Sequence, residues 1–169
     1  GPAGSTTVDT LAPNTSASSI SIDPIAGDNI VNATEAKGTV ILSGTLNNLA
    51  SDVATTTVLV SVNGVSYTAT VDASTGKWTV DVAGSELALA TQIHVTANVT
   101  DAAGNTASFN QTGSYSVDTV APDAPVVNPN NGGAITGTAE AGSTVSVSYP
   151  DAAGGTVTVS TTANASGEW

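Results

Sequence analysis

The chain has 169 residues, of which 14 are Asp or Glu and 2 are Lys or Arg, so its formal charge at pH 7 is −12. This length suits one large domain or two small β domains, because domains commonly contain about 100 to 150 residues. The acidic balance argues against nucleic acid as a partner, since such binding needs cationic side chains to displace phosphate counterions. Cysteine is absent, which excludes disulfide staples and thiolate zinc sites.

The first residues, 1–7, begin with "GPAGS", and we interpret them as a cloning remnant and a leader to a linker. No run of about 18 apolar residues follows that could span a membrane. We therefore expect no membrane insertion in this chain.

Apolar and polar side chains alternate with period two wherever Gly, Pro, Asn or Asp does not interrupt them, which predicts an all-β chain. The stretch 58–82 contains three strands, with hairpin turns expected at Asn63 and Gly64 and around residues 74–76. In chain order, the predicted strands A to G lie at 19–22, 39–46, 58–62, 65–71, 78–82, 92–100 and 107–117.

Seven short strands in about 110 residues are typical of an immunoglobulin-like, Greek-key β-sandwich. The motif "VDTLAPN" at 8–14 returns as "VDTVAPD" at 117–123, so the sequence predicts two such domains in tandem. We predict a first domain, an interdomain linker and a second, partial domain, at 8–117, 118–125 and 126–169.

The second predicted domain repeats the beginning of the first. Its "NASGEW" at 164–169 answers "DASTGKW" at 72–78, and the chain stops at Trp169, the counterpart of Trp78 on strand E. Strands F and G then have no counterpart, which would leave an apolar face and strand edges exposed. We interpret the chain as a fragment of a longer, monomeric protein whose second domain is disordered or completed by another chain, with strand exchange as an alternative.

Acidic residues fall mainly in turns and linkers rather than in the strands. Alternating strand directions predict that Asp101, in the FG loop "DAAGN", lies beside the incoming segment that carries Asp9. At the other end, the AB loop "AGDNIVNATEA" brings Asp28, Asn32 and Glu35 towards Asp118 in the outgoing linker. Glu140, in the BC loop of the second domain, approaches the same linker from the other side, and Asp123 lies in the linker itself.

Carboxylates held close together repel one another, and a calcium ion with six to eight oxygen ligands at about 2.3 to 2.6 Å reverses that repulsion. The alternative for any single one of these residues is that Asp, Asn and Gly simply form turns. We predict calcium as the cofactor; the predicted metal ligands are Asp9, Asp28, Glu35, Asp101, Asp118, Asp123 and Glu140.

Other side chains that could carry chemistry are interpreted as structural. His94 is expected to be an exposed strand residue, and Trp78 is expected in the core of the sandwich. A catalytic base needs an oriented partner, and no nucleophile motif, phosphate loop or histidine cluster occurs. We therefore predict neither an enzyme nor any catalytic or organic-cofactor residue.

The motifs "VDTVAP", "DAAGNT", "ITGTAEAGSTVSV" and "DPIAGDNIVNATEA" resemble the tandem bacterial immunoglobulin-like repeats of giant cell-surface adhesins. These include biofilm-associated proteins, type I-secreted RTX adhesins and the extender region of ice-binding adhesins. The resemblance implies an extracellular stalk of many repeats that supports adhesion or biofilm formation, with calcium at the junctions making it stiff.

The resemblance also supports particular residues as calcium ligands. It supports Asp9, Asp101, Asp118 and Glu140 at junctions, and Asp28 and Glu35 in the AB loop. The first domain departs from the pattern because Asn47 aligns with Glu140, so its incoming site would use Asp52 or Asn47 or would be weaker.

An alternative function is a binding module that recognises a glycan, a host protein or another copy of the adhesin. Such a module would need a concave site with exposed aromatic side chains. The aromatic content of 4% argues against one. A third possibility, an accessory domain of a secreted hydrolase, would need a catalytic segment outside this chain.

Overall fold

The structure is a computed structural model that describes residues 4 and 6–169. It divides the chain into two compact units, residues 1–120 and residues 121–169. Unit 1 and unit 2, as they are called below, are described separately. None of the helices in the described residues is long and apolar enough to cross a membrane.

Unit 1 is built almost entirely from strands. A single helical turn, α1, spans Gly84–Leu87, and short 3-10 helices span Ile25–Gly27 and Glu35–Lys37. Its strands are β1 (Ser19–Ile22), β2 (Ile30–Asn32), β3 (Thr39–Asn47), β4 (Val53–Val62), β5 (Val65–Thr68), β6 (Thr70–Val71), β7 (Lys77–Ala83), β8 (Gln92–Asp101), β9 (Thr106–Ser114) and β10 (Ser116–Asp118).

These strands form two antiparallel four-stranded sheets, in the orders β1-β3-β7-β6 and β5-β4-β8-β9. A separate parallel pair joins β2 to β10. One hydrophobic cluster contains inward side chains of both sheets, as a sandwich requires. The predicted immunoglobulin-like β-sandwich is therefore confirmed.

The core follows the predicted period-two pattern. Val58, Val60 and Val62 on β4 and Val95 on β8 are each buried, while their neighbours in sequence face outward. Trp78 is fully buried and its Nε1 donates a hydrogen bond to the carbonyl oxygen of Ser21, 3.2 Å away. The expected core position of Trp78 is confirmed.

Two predicted strands are each divided in the structure. Predicted strand D breaks at Ala69, so that β5 pairs with β4 in one sheet and β6 pairs with β7 in the other. Predicted strand G breaks at Tyr115, which is buried and donates its hydroxyl to the carbonyl oxygen of Leu87, 2.7 Å away. The break at Ala69 moves the segment from one sheet of the sandwich to the other, and the break at Tyr115 moves it from β8 to the separate pair with β2.

The Asn63–Gly64 hairpin has the predicted turn chemistry. Asn63 and Gly64 have φ values of 47° and 77°, and a type I′ turn requires φ above zero at both central residues. His94 is exposed on β8, as expected, with its Nδ1 3.0 Å from the hydroxyl of Thr112 on β9.

Unit 2 repeats the first strands of unit 1. Its described strands are β11 (Val126–Val127), β12 (Gly137–Thr138), β13 (Thr144–Pro150) and β14 (Thr156–Thr162), paired β11-β12 and β13-β14. Backbone hydrogen bonds in both directions join Gly137 to Trp169. Tyr149 is 40% exposed and Val159 is 52% exposed, so part of the apolar surface of this unit faces solvent.

Gly137 and Trp169 reproduce a contact of unit 1. A Cβ on Gly44 would lie 2.7 Å from Cε2 of Trp78, and a Cβ on Gly137 would lie 2.7 Å from Cε2 of Trp169. Because each glycine has no side chain, it leaves space that a tryptophan ring fills. The rings differ in one respect, because the buried Nε1 of Trp169 has no hydrogen-bond partner among the described residues.

Candidate metal-binding sites at the domain ends

The outgoing end of unit 1 is organised by the parallel pair β2-β10. Asn32, the last residue of β2, is the Cα partner of Asp118, the last residue of β10. The carboxylate of Glu35 accepts a hydrogen bond from the backbone N–H of Asn32, 3.0 Å away. The structure thus brings Asn32, Glu35 and Asp118 to the same end of this strand pair.

The amide side chain of Asn32 fixes the local loop. Its Oδ1 accepts hydrogen bonds from the backbone N–H groups of Thr34 and Glu35, at 2.9 and 3.0 Å. These two bonds and the one to Glu35 Oε2 close a small ring of polar atoms, which holds the Glu35 side chain near the strand end. The side chain of Asn32 therefore takes part in turn formation, the role that the sequence offers as the alternative to metal binding.

Asp28 lies elsewhere along the same loop. It precedes β2, and its Oδ1 accepts the backbone N–H of Ile30 at 2.9 Å. Since Asn32 ends β2 and Asp28 lies before its beginning, the strand separates Asp28 from the residues around Asp118. The AB loop therefore presents its acids at two places rather than one.

The incoming end of unit 1 contains Asp9 and Asp101, with Asn105 between them. The Nδ2 of Asn105 is 2.9 Å from Asp101 Oδ2 and 3.2 Å from the backbone carbonyl oxygen of Asp9. Asn105 thus ties the β8-β9 turn to the incoming segment. The sequence analysis did not single out Asn105, although it is the last residue of the quoted "DAAGN" motif.

The carboxylate of Asp101 accepts hydrogen bonds from backbone groups of its own turn. Its Oδ1 accepts the backbone N–H groups of Ala103 and Asn105, at 2.9 and 2.8 Å, and only 6% of the residue is exposed. The side-chain hydrogen bond from Asn105 is the main cause that lowers the pKa of Asp101, and the backbone bonds add to it while burial opposes it. The donors of its turn thus favour the ionised form of this carboxylate, which is a structural role whether or not an ion binds.

The two copies of the "VDT" motif have the same local geometry. Asp9 Oδ1 accepts the backbone N–H of Leu11 at 3.1 Å, and Asp118 Oδ1 accepts that of Val120 at 3.2 Å. Each bond spans two residues, as in an Asx turn. In both copies this turn bond uses only Oδ1 of the carboxylate.

In unit 2, Asp123 and Glu140 line one cavity of about 320 Å³. Asp123 comes from the incoming segment, and Glu140 comes from the loop between β12 and β13. The other residues that line this cavity are Ala124, Val126, Thr138 and Ala139.

Unit 1 carries amides at the positions equivalent to these two acids. In the repeated motif, Asn14 stands where Asp123 stands. A Cβ on Gly76 would lie 2.7 Å from the carbonyl oxygen of Leu46, and one on Gly167 would lie 2.6 Å from that of Ala139. This shared contact supports the alignment of Asn47, after Leu46, with Glu140, after Ala139. The sequence motifs predicted that Asn47 stands in place of Glu140, but the replacement of Asp123 by Asn14 was not predicted.

The comparisons with known proteins identify the family. No protein-family profile and no curated protein matches the sequence. Among solved structures, a bacterial immunoglobulin-like domain from the M. primoryensis ice-binding adhesin is 43% identical, with a TM-score of 0.53, over 59% of this chain and 95% of that domain. The chain belongs to the bacterial immunoglobulin-like domains.

Two longer adhesin chains resemble this bacterial immunoglobulin-like chain over most of its length. A Ca²⁺-stabilized adhesin with which an Antarctic bacterium binds ice is 38% identical, with a TM-score of 0.65, over 89% of this chain and 39% of that one. A 1.5-MDa bacterial ice-binding adhesin is 28% identical, with a TM-score of 0.70, over 95% of this chain and 54% of that one. The chain therefore spans about half, or less, of the length of these two relatives.

The donor set at the ends of these bacterial immunoglobulin-like units suits a hard cation in its chemistry. Carboxylate, amide and backbone carbonyl oxygens are the ligands that calcium takes. Within residues 4 and 6–169, however, no three Asp, Glu or His side chains are grouped closely enough to hold a metal ion. A calcium ion at Asn32, Glu35 and Asp118 would therefore need amide, backbone or water oxygens in addition to the two carboxylates.

Proposed function

We propose that this chain is part of the extender, or stalk, of a bacterial surface adhesin, in which calcium bound at the domain ends makes the stalk stiff. In this proposal, tandem immunoglobulin-like repeats occupy 8–117 and 126–169 and are joined by the linker 118–125. The stalk lies outside the cell, and its role is to support adhesion or biofilm formation after type I secretion. The repeats themselves carry out no catalysis.

The observation that carries the proposal is the pairing of Asp118 with Asn32. The residue at the start of the linker lies opposite a loop amide, and Glu35 is hydrogen-bonded to the same loop residue. An ion that binds Asp118 together with Asn32 or Glu35 would fix the backbone where the chain leaves unit 1. Support also comes from the similarity to an adhesin that is itself described as Ca²⁺-stabilized.

Calcium would change both the charge repulsion and the hinge freedom at this linker. Glu35 and Asp118 are like charges at the outgoing end of unit 1, in a protein that carries −12 overall, and their repulsion opposes a fixed linker. A divalent cation replaces that repulsion with attraction to both groups. Removal of the ion would restore the repulsion and the freedom of the linker.

Thermal unfolding of the full chain with calcium or with a chelator tests the proposal, using Asp118→Asn and the matched control Asp81→Asn. Asp81 is exposed on β7, and each variant removes one negative charge. Calcium at about 100 times its Kd stabilises a folded protein by about 2.7 kcal/mol. We expect calcium to raise the Tm of the wild type and of Asp81→Asn, and to raise that of Asp118→Asn less.

Small-angle X-ray scattering of the same samples gives the mechanical readout. The chain should be more extended and less variable with calcium than with the chelator, and Asp118→Asn should lose this difference. Identical scattering profiles and equal Tm values with and without calcium would contradict calcium stiffening.

A further inference from the structure

Strand β9 is a long, regular edge strand of the sheet β5-β4-β8-β9. It pairs with β8 over nine consecutive residue pairs without a shift in register, and its sequence is TASFNQTGS. Exposed sheet edges are normally protected from other chains by charges, prolines, bulges, short length or a covering segment. Strand β9 contains no charge, proline or bulge and is not short.

The other sheet edges of unit 1 are protected. Strand β1 is four residues long and is followed by Asp23 and Pro24. Strands β5 and β6 are four and two residues long, and the break at Ala69 moves the chain between sheets. The contrast singles out β9 as the long edge.

Strand β1 approaches one end of β9 without pairing with it. No ladder joins the two strands in the described residues, and a cavity of about 460 Å³ lies between them. Residues of both strands line this cavity together with Asp23, Ile25 and Asn29, which follow β1. The backbone N–H and C=O groups on the free side of β9 are therefore not used by β1. The cavity leaves room beside this edge.

The outward face of the same sheet carries no ionisable acid or lysine. In register order, its central rows include Thr57, Asn98 and Ser108, and Leu59, Thr96 and Asn110. The outward face of the other sheet, in contrast, includes Lys77 and Asp81 on β7. Although Asp23 lines the cavity at one end of β9, the sheet face beside this strand offers a second copy little like-charge repulsion in a chain of net charge −12.

We propose that β9 is a homotypic pairing edge, at which two copies of the chain associate antiparallel, β9 to β9, and join their sheets into one of eight strands. Main-chain hydrogen bonds drive such strand addition, and the facing side chains determine which partner is accepted. A two-fold register centred on Asn110 places Ser108 opposite Thr112 of the second copy, and Phe109 opposite Gln111. Each of these facing pairs is free of charge.

This pairing goes beyond the stalk function and does not depend on calcium. A single strand-to-strand contact is small, so association of isolated chains is expected to be weak and to depend on concentration. On a tandem array of repeats, many such contacts would act together and raise the effective concentration of each. The inferred role is lateral association of neighbouring stalks.

Sedimentation velocity of the full chain in chelator, over a wide concentration range, tests the proposal with Asn110→Lys and Thr57→Lys. Both residues are exposed on the same sheet face, and both variants change the net charge by the same amount, but Thr57 lies on the interior strand β4. In the paired register the introduced ammonium groups at position 110 face each other. We expect Asn110→Lys to weaken association at least about tenfold and Thr57→Lys to leave it unchanged.

Hydrogen exchange provides the second measurement, because backbone amides of β9 should gain protection as the concentration of the wild type rises. A wild type that stays monomeric at all concentrations would overturn the proposal. If both variants weakened association equally, the two chains would associate through the sheet face. If Asn110→Lys did not weaken association, they would associate through other surfaces, such as the exposed apolar residues of unit 2. Either result would also overturn the proposal.

Discussion

Asn32 and Asp118 are Cα partners at the end of the parallel pair β2-β10, although they lie far apart in the sequence. The pair fixes the first residue of the linker against the AB loop by backbone hydrogen bonds. The side chain of Asn32 then holds this loop by accepting two backbone N–H groups. Asn32 therefore takes part both in a local turn and in strand pairing with a residue distant in sequence.

The variant Asn32→Ala should destabilise unit 1 by about 1 kcal/mol, because the backbone N–H groups of Thr34 and Glu35 lose their acceptor. Urea unfolding followed by tryptophan fluorescence measures this change. Asn98→Ala, on the exposed face of β8, is the matched control and should change stability by less than about 0.5 kcal/mol. Equal effects of the two variants would show that the side chain of Asn32 does not hold the loop.

The pH dependence of stability should report on Asp101. Its pKa is lowered in the folded state, chiefly by Asn105, so its stabilising contribution is complete above the unfolded-state pKa and is lost as the pH falls through the folded-state pKa. Asp101→Asn should therefore be less stable than the wild type at pH 7. The difference in unfolding free energy between Asp101→Asn and the wild type should narrow as the pH falls below about 4.

The variant Asn105→Ala removes the main cause of that lowered pKa. Acid unfolding, again followed by tryptophan fluorescence, should begin at a higher pH in this variant than in the wild type. Hydrogen exchange should also become faster around Asp9, whose carbonyl oxygen accepts the other bond from Asn105. An unchanged acid transition would contradict the role assigned to Asn105.

Gly44 is predicted to tolerate no side chain. A Cβ at this position would collide with the carbonyl oxygen of Ser21 and would lie 2.7 Å from the ring of Trp78. Gly44→Ala should cost about 1 to 3 kcal/mol of unfolding free energy, as overpacked cores do. Gly38→Ala is the control, since its Cβ would have no neighbour closer than 3.7 Å; a similar loss in both variants would contradict the argument.

The two incoming segments should differ in calcium response, given the proposed stalk function. Unit 1 has Asn14 and Asn47 where unit 2 has Asp123 and Glu140. The double variant Asn14→Asp with Asn47→Glu should increase the calcium-induced rise in Tm of the full chain, because it adds two carboxylate ligands. The double variant with Asn14→Gln and Asn47→Gln should not. An equal response would show that these positions do not contribute to ion binding.

Much of the fold could be predicted because it depends on neighbours in sequence. Period-two alternation determines which face of β4 is buried, and the Asn63–Gly64 turn requires two positive φ values that these residues adopt readily. The burial of Trp78 follows from the same alternation. The family could be identified from motifs that are equally local.

The candidate sites were predicted less completely because they depend on partners distant in sequence. The sequence indicated that Asp9 and Asp101 belong to one end of the domain, but not that Asn105 joins them. It also grouped Asp28 with Glu35, whereas the position of β2 separates them. The metal-ligand role of all seven predicted acids stays a prediction.

The sequence by itself determined the strand pattern, the hairpin turns and the repeat of the "VDT" linker, since these depend on side-chain alternation and local backbone preference. Only the tertiary structure decided where strands D and G divide, because the segments on either side of Ala69 and of Tyr115 pair with different strands, which are distant in sequence. It also decided that Asp118 meets Asn32, because that contact is formed by strand pairing across the whole domain.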